Sequence, residues 1–331
     1  MESFSGNSEY NWTFDEEQQA MIDEIKASMK VNEYKQVWND DLTKLPSLAE
    51  YHHGFQKLIN TDFSKATVEE IEKAFRKHSI IFENQISFVE KKTINLLTAF
   101  RVRNVGDHED LSDPKTFSYP PVEFSTKNER LNIKNHPVFY CADHKATGFL
   151  ESKFEGTRVR YFSCFYVRSD KDVWAAYIVS PDLKTNNPWL KMGKLSMDSI
   201  IENARRNGGD KAGHLKMLYS FINWIIENET PDYPISSWIG HYLFNKRFYD
   251  MIVYTSKQTE GHQCNIAFRP AFVDKYMKLE VVFKVNAERV PDGVNIELLQ
   301  VGENINNKIL WRGPNENDQL FFEKKEFYNK L

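Results

Sequence analysis

The sequence predicts a mixed α+β fold in which a helical segment of about 90 residues precedes a strand-rich body. Three observations predict it. Before residue 90, apolar residues recur at helical spacing behind helix-start signals such as Thr67-Val-Glu-Glu70. From Leu97 onward, short β-branched and aromatic runs alternate with polar turns. The 24 Phe, 15 Tyr and 7 Trp among 331 residues supply enough apolar surface for a large core and place the chain outside the disordered class.

Taken in order, Thr13-Phe-Asp-Glu-Glu17 followed by Met21, Ile22, Ile25 and Met29 reads as a first helix, with acids at the positive end of its dipole. Tyr51-His-His-Gly54 reads as a break. Two adjacent histidines lack the further ligands of a metal site nearby, so they read as surface or core residues. Thr67 to Glu70 form a capping box leading into Ile71 and Phe75. Strands are expected at 97–103, 137–141, 158–167 and 173–179, with a short helix from Asp143, a good N-cap residue, to Glu151. Residues 194–230 read as helical, His214 to Ile226 carrying a broad apolar stripe. A further helix (235–245), a strand (250–254) and a terminal meander (279–283, 294–299, 308–311) complete the chain. The expected organisation is a helical module over 1–90, a body over 91–285 with a helical insertion near 190–230, and a β extension of that body over 286–331.

Composition excludes several function classes. Forty-three Lys+Arg against 47 Asp+Glu give a net charge of −4, which argues against a generic polyanion binder and against nucleic acid as a partner. The charge is uneven: 17 acidic and nine basic residues precede position 91, so the remainder is positive. Cys141, Cys164 and Cys264 are odd in number and widely spaced, which suggests neither a disulfide framework nor a zinc clip. No glycine-rich phosphate loop is found, and no metal is expected. The first residues lack the basic-then-apolar order of a signal peptide and no apolar run is long enough to span a bilayer, so a cytoplasmic protein with no membrane role is expected.

Three stretches hold polar residues where strand patterning calls for apolar ones. Arg101 and Arg103, two apart in a strand, share a face, and an arginine there needs an acidic or anionic partner. The second stretch runs from Glu129-Arg-Leu-Asn132 through Pro137-Val-Phe-Tyr-Cys-Ala142 to Glu151. The third is Phe248-Tyr-Asp-Met-Ile-Val-Tyr-Thr-Ser256 followed by Asn265-Ile-Ala-Phe-Arg-Pro270. In this order, over roughly residues 95–285, the blocks resemble the RES domain family: Phe100-Arg-Val102 is similar to its Tyr-Arg-Val strand, Arg130-Leu-Asn132 to its Arg-x-Asn, and the Tyr254-Thr-Ser256 strand to its Tyr-Pro-Ser.

The resemblance implies an ADP-ribosyltransferase-like core acting on NAD+ as substrate, with no metal required. Family members studied as toxins of toxin–antitoxin pairs cleave the nicotinamide–ribose bond by hydrolysis or phosphorolysis, and some ADP-ribosylate a protein. It implies catalytic roles for Glu151, Arg101 and Ser256, and NAD+ contacts from Arg101, Arg130, Asn132, Tyr140, Ser256 and Asn265. Breaking that bond develops positive charge on the ribose, which a carboxylate such as Glu151 stabilises. Arg101 and Arg130 suit a pyrophosphate, the Tyr140 ring packs on nicotinamide or ribose, and Ser256 and Asn265 fix orientation by hydrogen bonds. An antitoxin or regulatory protein and a homodimer are the expected partners. The chain departs from the pattern where Glu129 and Ile133 replace glycines and where Ser-Val-Arg reads Ser256-Lys-Gln258, leaving Lys257 as a substitute cation without a planar fork. A catalytically silent binding module built on the same core is the alternative from another class.

Overall fold

A computed structural model describes residues 45–78, 80, 87–152, 156–206, 210–229, 232–290 and 293–323. The helix expected from Thr13 lies outside the described residues. The body is one ten-stranded sheet in the order β1-β5-β6-β7-β3-β2-β4-β8-β9-β10. The strands are β1 (Ser87–Val89), β2 (Thr98–Arg103), β3 (Phe139–Ala142), β4 (Thr157–Val167), β5 (Val173–Ile178), β6 (Met251–Thr255), β7 (Cys264–Phe268), β8 (Met277–Val290), β9 (Gly293–Ile305) and β10 (Lys308–Arg312). Only β5 and β6 pair in parallel; every other neighbouring pair is antiparallel. The fold is thus the mixed α+β class that the patterning predicts.

The helices start where the chain supplies side-chain acceptors for the free N–H groups of a first turn. Helix α1 (Leu48–Ile59) opens on a capping box between Ser47 and Glu50, and α2 (Val68–Lys77) on the expected one between Thr67 and Glu70. The break expected at Tyr51-His-His-Gly54 is a correction: these residues lie inside α1, with Tyr51 and Gly54 buried and both histidines exposed. Ser47-x-x-Glu50 is the signal that outweighs a lone glycine in this helix. A single turn, α3 (Lys91–Ile94), precedes β2, and α4 (Lys145–Glu151) follows β3.

The N-cap of α4 is also corrected. His144, not Asp143, accepts from the Ala146 N–H through its Nδ1. Asp143 instead extends the β3–β7 pairing, accepting from the Cys264 N–H and from the Asn187 side chain. Burial raises its carboxyl pKa above the ordinary range, and the hydrogen bonds oppose that rise.

A parallel pair cannot be joined by a tight turn, so β5 reaches β6 through a helical crossover. The helical region expected over 194–230, with its stripe from His214 to Ile226, supplies it as α5 (Pro188–Arg206) and α6 (Lys211–Asn228), followed by α7 (Pro234–His241), which continues into a π turn over Tyr242–Lys246. Glu229 fastens the start of α7 by accepting from the N–H groups of Ile235 and Ser236 at 2.8 and 2.7 Å. Two short helices remain, α8 (Pro270–Tyr276) and α9 (Glu316–Glu323).

Two clusters of the core, among the described residues, flank the elements that carry the cavity. In one, Tyr51, Phe55 and Phe75 of α1 and α2 and Leu218, Phe221 and Trp238 of α6 and α7 bury against Ile178, Ile252 and Tyr254 of the sheet. Phe55 stacks on Phe221 at 4.3 Å, and Phe75 meets Trp238 at 4.4 Å. In the other, Phe149 and Leu150 of α4 and Phe322 of α9 meet Phe162, Phe283 and Val285 of β4 and β8. The three cysteines are buried free thiols. Among the described residues, no helix is long and apolar enough to cross a membrane.

Candidate functional site

Sheet continuity is weakest between β2 and β3, which share a single bridged pair, Phe100 with Ala142. Beyond it the strands separate, and a cavity of about 420 Å³ opens over the gap, within the size range of small-molecule sites. Its walls come from β2, β3, α4, the 127–130 loop, Asp232-Tyr233 and the facing residues Tyr254 and Asn265 of β6 and β7.

The gap leaves backbone groups without a ladder partner, and Arg101 fills it. By strand alternation its side chain leaves β2 on the side opposite Phe100. Its Cζ lies 5.3 Å from the Phe139 ring, and Nη1 donates to the Tyr140 carbonyl at 2.7 Å. Nε is buried without a hydrogen bond, and no carboxylate pairs with Arg101 among the described residues. Burial, reinforced by the nearby charge of Arg103, lowers its pKa to about 10. Arg103, by contrast, has the acidic partner expected of a strand arginine: Nη2 donates to Glu109 at 2.7 Å. The two arginines of the strand therefore separate into an ordinary ion pair and a half-buried cation at the cavity with no ion pair among the described residues.

Glu151 closes α4 at the cavity wall. Ser256 Oγ donates to its Oε1 at 2.6 Å, and Asn265 Nδ2 donates to the same oxygen at 2.8 Å. Oε2 has no hydrogen bond among the described residues. Ser256 is fully buried and does not line the cavity; it acts on the carboxylate from behind, while Asn265 also reaches the cavity surface. A chain separation of 105 residues between Glu151 and Ser256 is thus bridged by one hydrogen bond.

Tyr140 and Asn132 form the other wall. The Tyr140 hydroxyl donates to Asn132 Oδ1 at 2.8 Å and accepts from the Leu131 N–H at 2.8 Å. Burial raises its pKa well above the ordinary tyrosine value, so it stays protonated and can keep donating. Tyr140 lines the cavity and Asn132 stands behind it. The hydroxyl is fully occupied in holding the 129–132 turn, which leaves the ring face as the part of Tyr140 offered to a ligand. Arg130, on that turn, donates through Nη1 to the Ile226 carbonyl at the end of α6, and its Cζ stands 5.8 Å from the Tyr233 ring.

All seven residues singled out in the sequence lie at this place: Arg101, Arg130, Tyr140, Glu151 and Asn265 on the cavity surface, Asn132 and Ser256 in the layer behind. Lys257 does not join them. Its Nζ turns to the end of α6, to the Glu227 carbonyl at 3.4 Å and Asn228 Oδ1 at 3.3 Å. Tyr254 and Tyr233 are among the wall residues that sequence reasoning did not assign. Tyr254 lines the cavity with a hydroxyl that has no partner among the described residues, and its spacing of two from Ser256 along a strand was the signal available. Tyr233 carried no such signal: it is placed by a left-handed backbone (φ 42°) just before Pro234, an uncommon state for an aromatic residue. Among the described residues, no three His, Cys, Asp or Glu gather as metal ligands.

The comparison with known families falls on this region. A model of the RES domain matches residues 98–284, more than half of the chain, from the first residue of β2 into β8. No curated protein matches the chain.

Proposed function

Because the chain belongs to the RES domain family, we propose that it consumes NAD+ by cleaving the bond between nicotinamide and ribose, as a growth-arresting toxin or defence effector. The observation that carries this reading is the carboxylate of Glu151 on the cavity wall, held through one oxygen by Ser256 and Asn265, with no hydrogen bond to the other oxygen among the described residues. A carboxylate fixed in this way is preorganised to face developing positive charge, since it need not reorient as the reaction proceeds.

In the reaction, the C1′–N1 bond breaks, its electron pair neutralises the pyridinium, and nicotinamide leaves. An oxygen of water or phosphate then bonds to C1′; with water the products are ADP-ribose, nicotinamide and a proton. Oε2 of Glu151 stabilises the oxocarbenium-like ribose between these events. Arg130 and Arg101, both on the cavity surface, favour the pyrophosphate. The Tyr140 ring packs on the nicotinamide or ribose, and the unpartnered Tyr254 hydroxyl is available to a ribose hydroxyl or the carboxamide.

The test is nicotinamide release from NAD+ by the purified protein, with and without phosphate, beside Glu151→Gln. Release by the wild type and a loss of about 100-fold or more in the variant are expected, the scale of removing an electrostatic stabiliser. Phosphate dependence separates phosphorolysis from hydrolysis. Intact NAD+ in the wild-type reaction, or an undiminished rate in Glu151→Gln, overturns the proposal.

A further inference from the structure

The helix that carries Glu151 is fastened at both ends by residues beyond the family match. At its first residue, Lys145 is only 6% exposed. A cation at the start of a helix opposes the helix dipole, and a buried one needs partners. Lys145 finds them on α9: Nζ donates to the Phe321 carbonyl at 2.7 Å and stands 4.9 Å from the Phe321 ring. At the other end, Arg289 of β8 donates through Nη2 to the Leu150 carbonyl at 3.4 Å, next to Glu151, and to Gln258 Oε1 at 3.3 Å, two residues past Ser256.

Packing follows the same line. Phe149 of α4 stacks on Phe162 at 5.1 Å with the planes 4° apart. Phe322 of α9 meets Phe162 and Phe283 edge-on at 5.7 and 5.0 Å, and Phe321 stacks on Phe283 at 5.1 Å. Helix α9 is itself anchored by Arg312, whose guanidinium bonds Asp318 at 2.6 Å and Glu303 at 2.7 Å. A chain of contacts thus runs from β10 through α9 to the helix holding the carboxylate.

We infer that the carboxy-terminal segment is a positioning element for Glu151, acting through Lys145 on the Phe321 carbonyl and through Arg289 on the Leu150 carbonyl. The inference rests on the role given to Glu151 above. Neither Lys145 nor Arg289 touches the cavity, so their effect on chemistry is indirect: they fix where α4 ends and hence where the carboxylate stands. A displacement of an ångström or less is enough to matter at a reacting centre.

The experiment compares wild type, Lys145→Met, Arg289→Ala and Arg289→Lys in the full chain, by amide hydrogen exchange over residues 145–151 and by kcat and KM for nicotinamide release. Lys145→Met is expected to lower kcat about tenfold with KM changed less than about twofold, and to speed exchange in α4 while β6 and β7 stay protected. Arg289→Ala is expected to do the same more weakly, with Arg289→Lys restoring most of the rate. Unchanged kcat and unchanged α4 exchange in both Lys145→Met and Arg289→Ala overturn the inference, as does a lower thermal midpoint with kcat intact. Should Lys145→Met fail to fold, the exposed Arg289 pair decides. Should the wild type release no nicotinamide, the functional proposal fails, and the exchange measurement alone decides whether the braces hold α4.

Discussion

The strands β3, β5, β6 and β7 are four to six residues long and lie under α1, α2, α6 and α7, whereas β4, β8 and β9 run for 11, 14 and 13 residues as a long antiparallel ladder whose register shifts once in each pairing, at Cys164/Phe165 and at Lys284/Val285. The first half depends on helices for its stability, because short strands have few ladder bonds and must bury apolar side chains to compensate. The second is secured chiefly along its own hydrogen bonds and cross-strand pairs. The halves join at β2 and β3 through one bridged pair. The cavity lies at that join, where the ladder has ended and Arg101 occupies the space. The comparison teaches that regular pairing stops where the cavity opens, and that a cation without an ion pair among the described residues stands there.

Four measurements break or sharpen this comparison. The largest effect is expected at the helical half. A Cβ on Gly240 of α7 would stand 2.1 Å from the Leu131 carbonyl oxygen, a backbone atom that cannot rotate away. Gly240→Ala is expected to cost about 3 kcal/mol in urea unfolding and to displace the turn bearing Arg130. In the ladder half, a Cβ on Gly302 would meet the Ile309 and Trp311 side chains, which can shift. Gly302→Ala should be the milder of the two and leave ligand binding intact; equal damage to binding from both would contradict the division.

Next is Arg101→Met. It removes a desolvated charge without an ion pair, so stability is expected to change by less than about 1 kcal/mol, while NAD+ affinity, read by calorimetry on an inactive Glu151→Gln background, falls about tenfold or more. A large stability loss with unchanged affinity would make Arg101 a structural residue. Arg103→Met should abolish the ion pair with Glu109 and leave affinity alone.

Tyr140→Phe is smaller. It strips the Leu131 N–H and Asn132 Oδ1 of their shared partner, and a loss of about 1–2 kcal/mol is expected from the unsatisfied groups. The ring face remains, so NAD+ affinity should fall less than in Arg101→Met.

The smallest effect is on pH. His78 and His241 both have pKa values below the ordinary histidine value. Burial is the first cause in each case, followed by the charges of Lys57 and Lys77 for His78 and by His136 and Lys246 for His241. The unfolded chain therefore binds protons that the folded chain refuses, and stability is full above about pH 6.5 and declines as pH falls toward the folded-state values. Urea midpoints at pH 7.5 and 5.5 should differ less in His241→Gln than in wild type. Asp143, whose raised pKa acts in the opposite sense, cancels in that comparison. An equal or larger pH response in the variant would assign the dependence elsewhere.

How far the sequence could be read depends on the range of each signal. Capping boxes act over three residues, so Thr67–Glu70 is visible in the chain, and Ser47–Glu50 was equally visible but obscured by the neighbouring His-His-Gly. Strand positions follow from alternation, yet β8 and β9 extend well past the short runs expected, because their outer ends are held by pairing with each other rather than by apolar content. Arg101 stood out as a polar group in an apolar strand, whereas Arg130, Asn132, Glu151 and Ser256, which lie outside the strands, were singled out through the family resemblance. Nothing local showed that Asp143 would pair with a distant strand instead of capping its own helix, or that Lys257 would turn away from the cavity.

What this sequence determines by itself is the class of its elements, since propensity, capping and periodicity are properties of neighbours in the chain. Only the tertiary structure decides that two arginines two residues apart differ, one paired with Glu109 and the other left in a gap of the sheet. It likewise decides that Ser256 serves Glu151 from behind, across 105 residues, and that β8 and α9 hold the helix on which Glu151 sits. These outcomes depend on strand order and on where pairing ends, and both are set by the free energy of the whole packed sheet rather than by any local pattern.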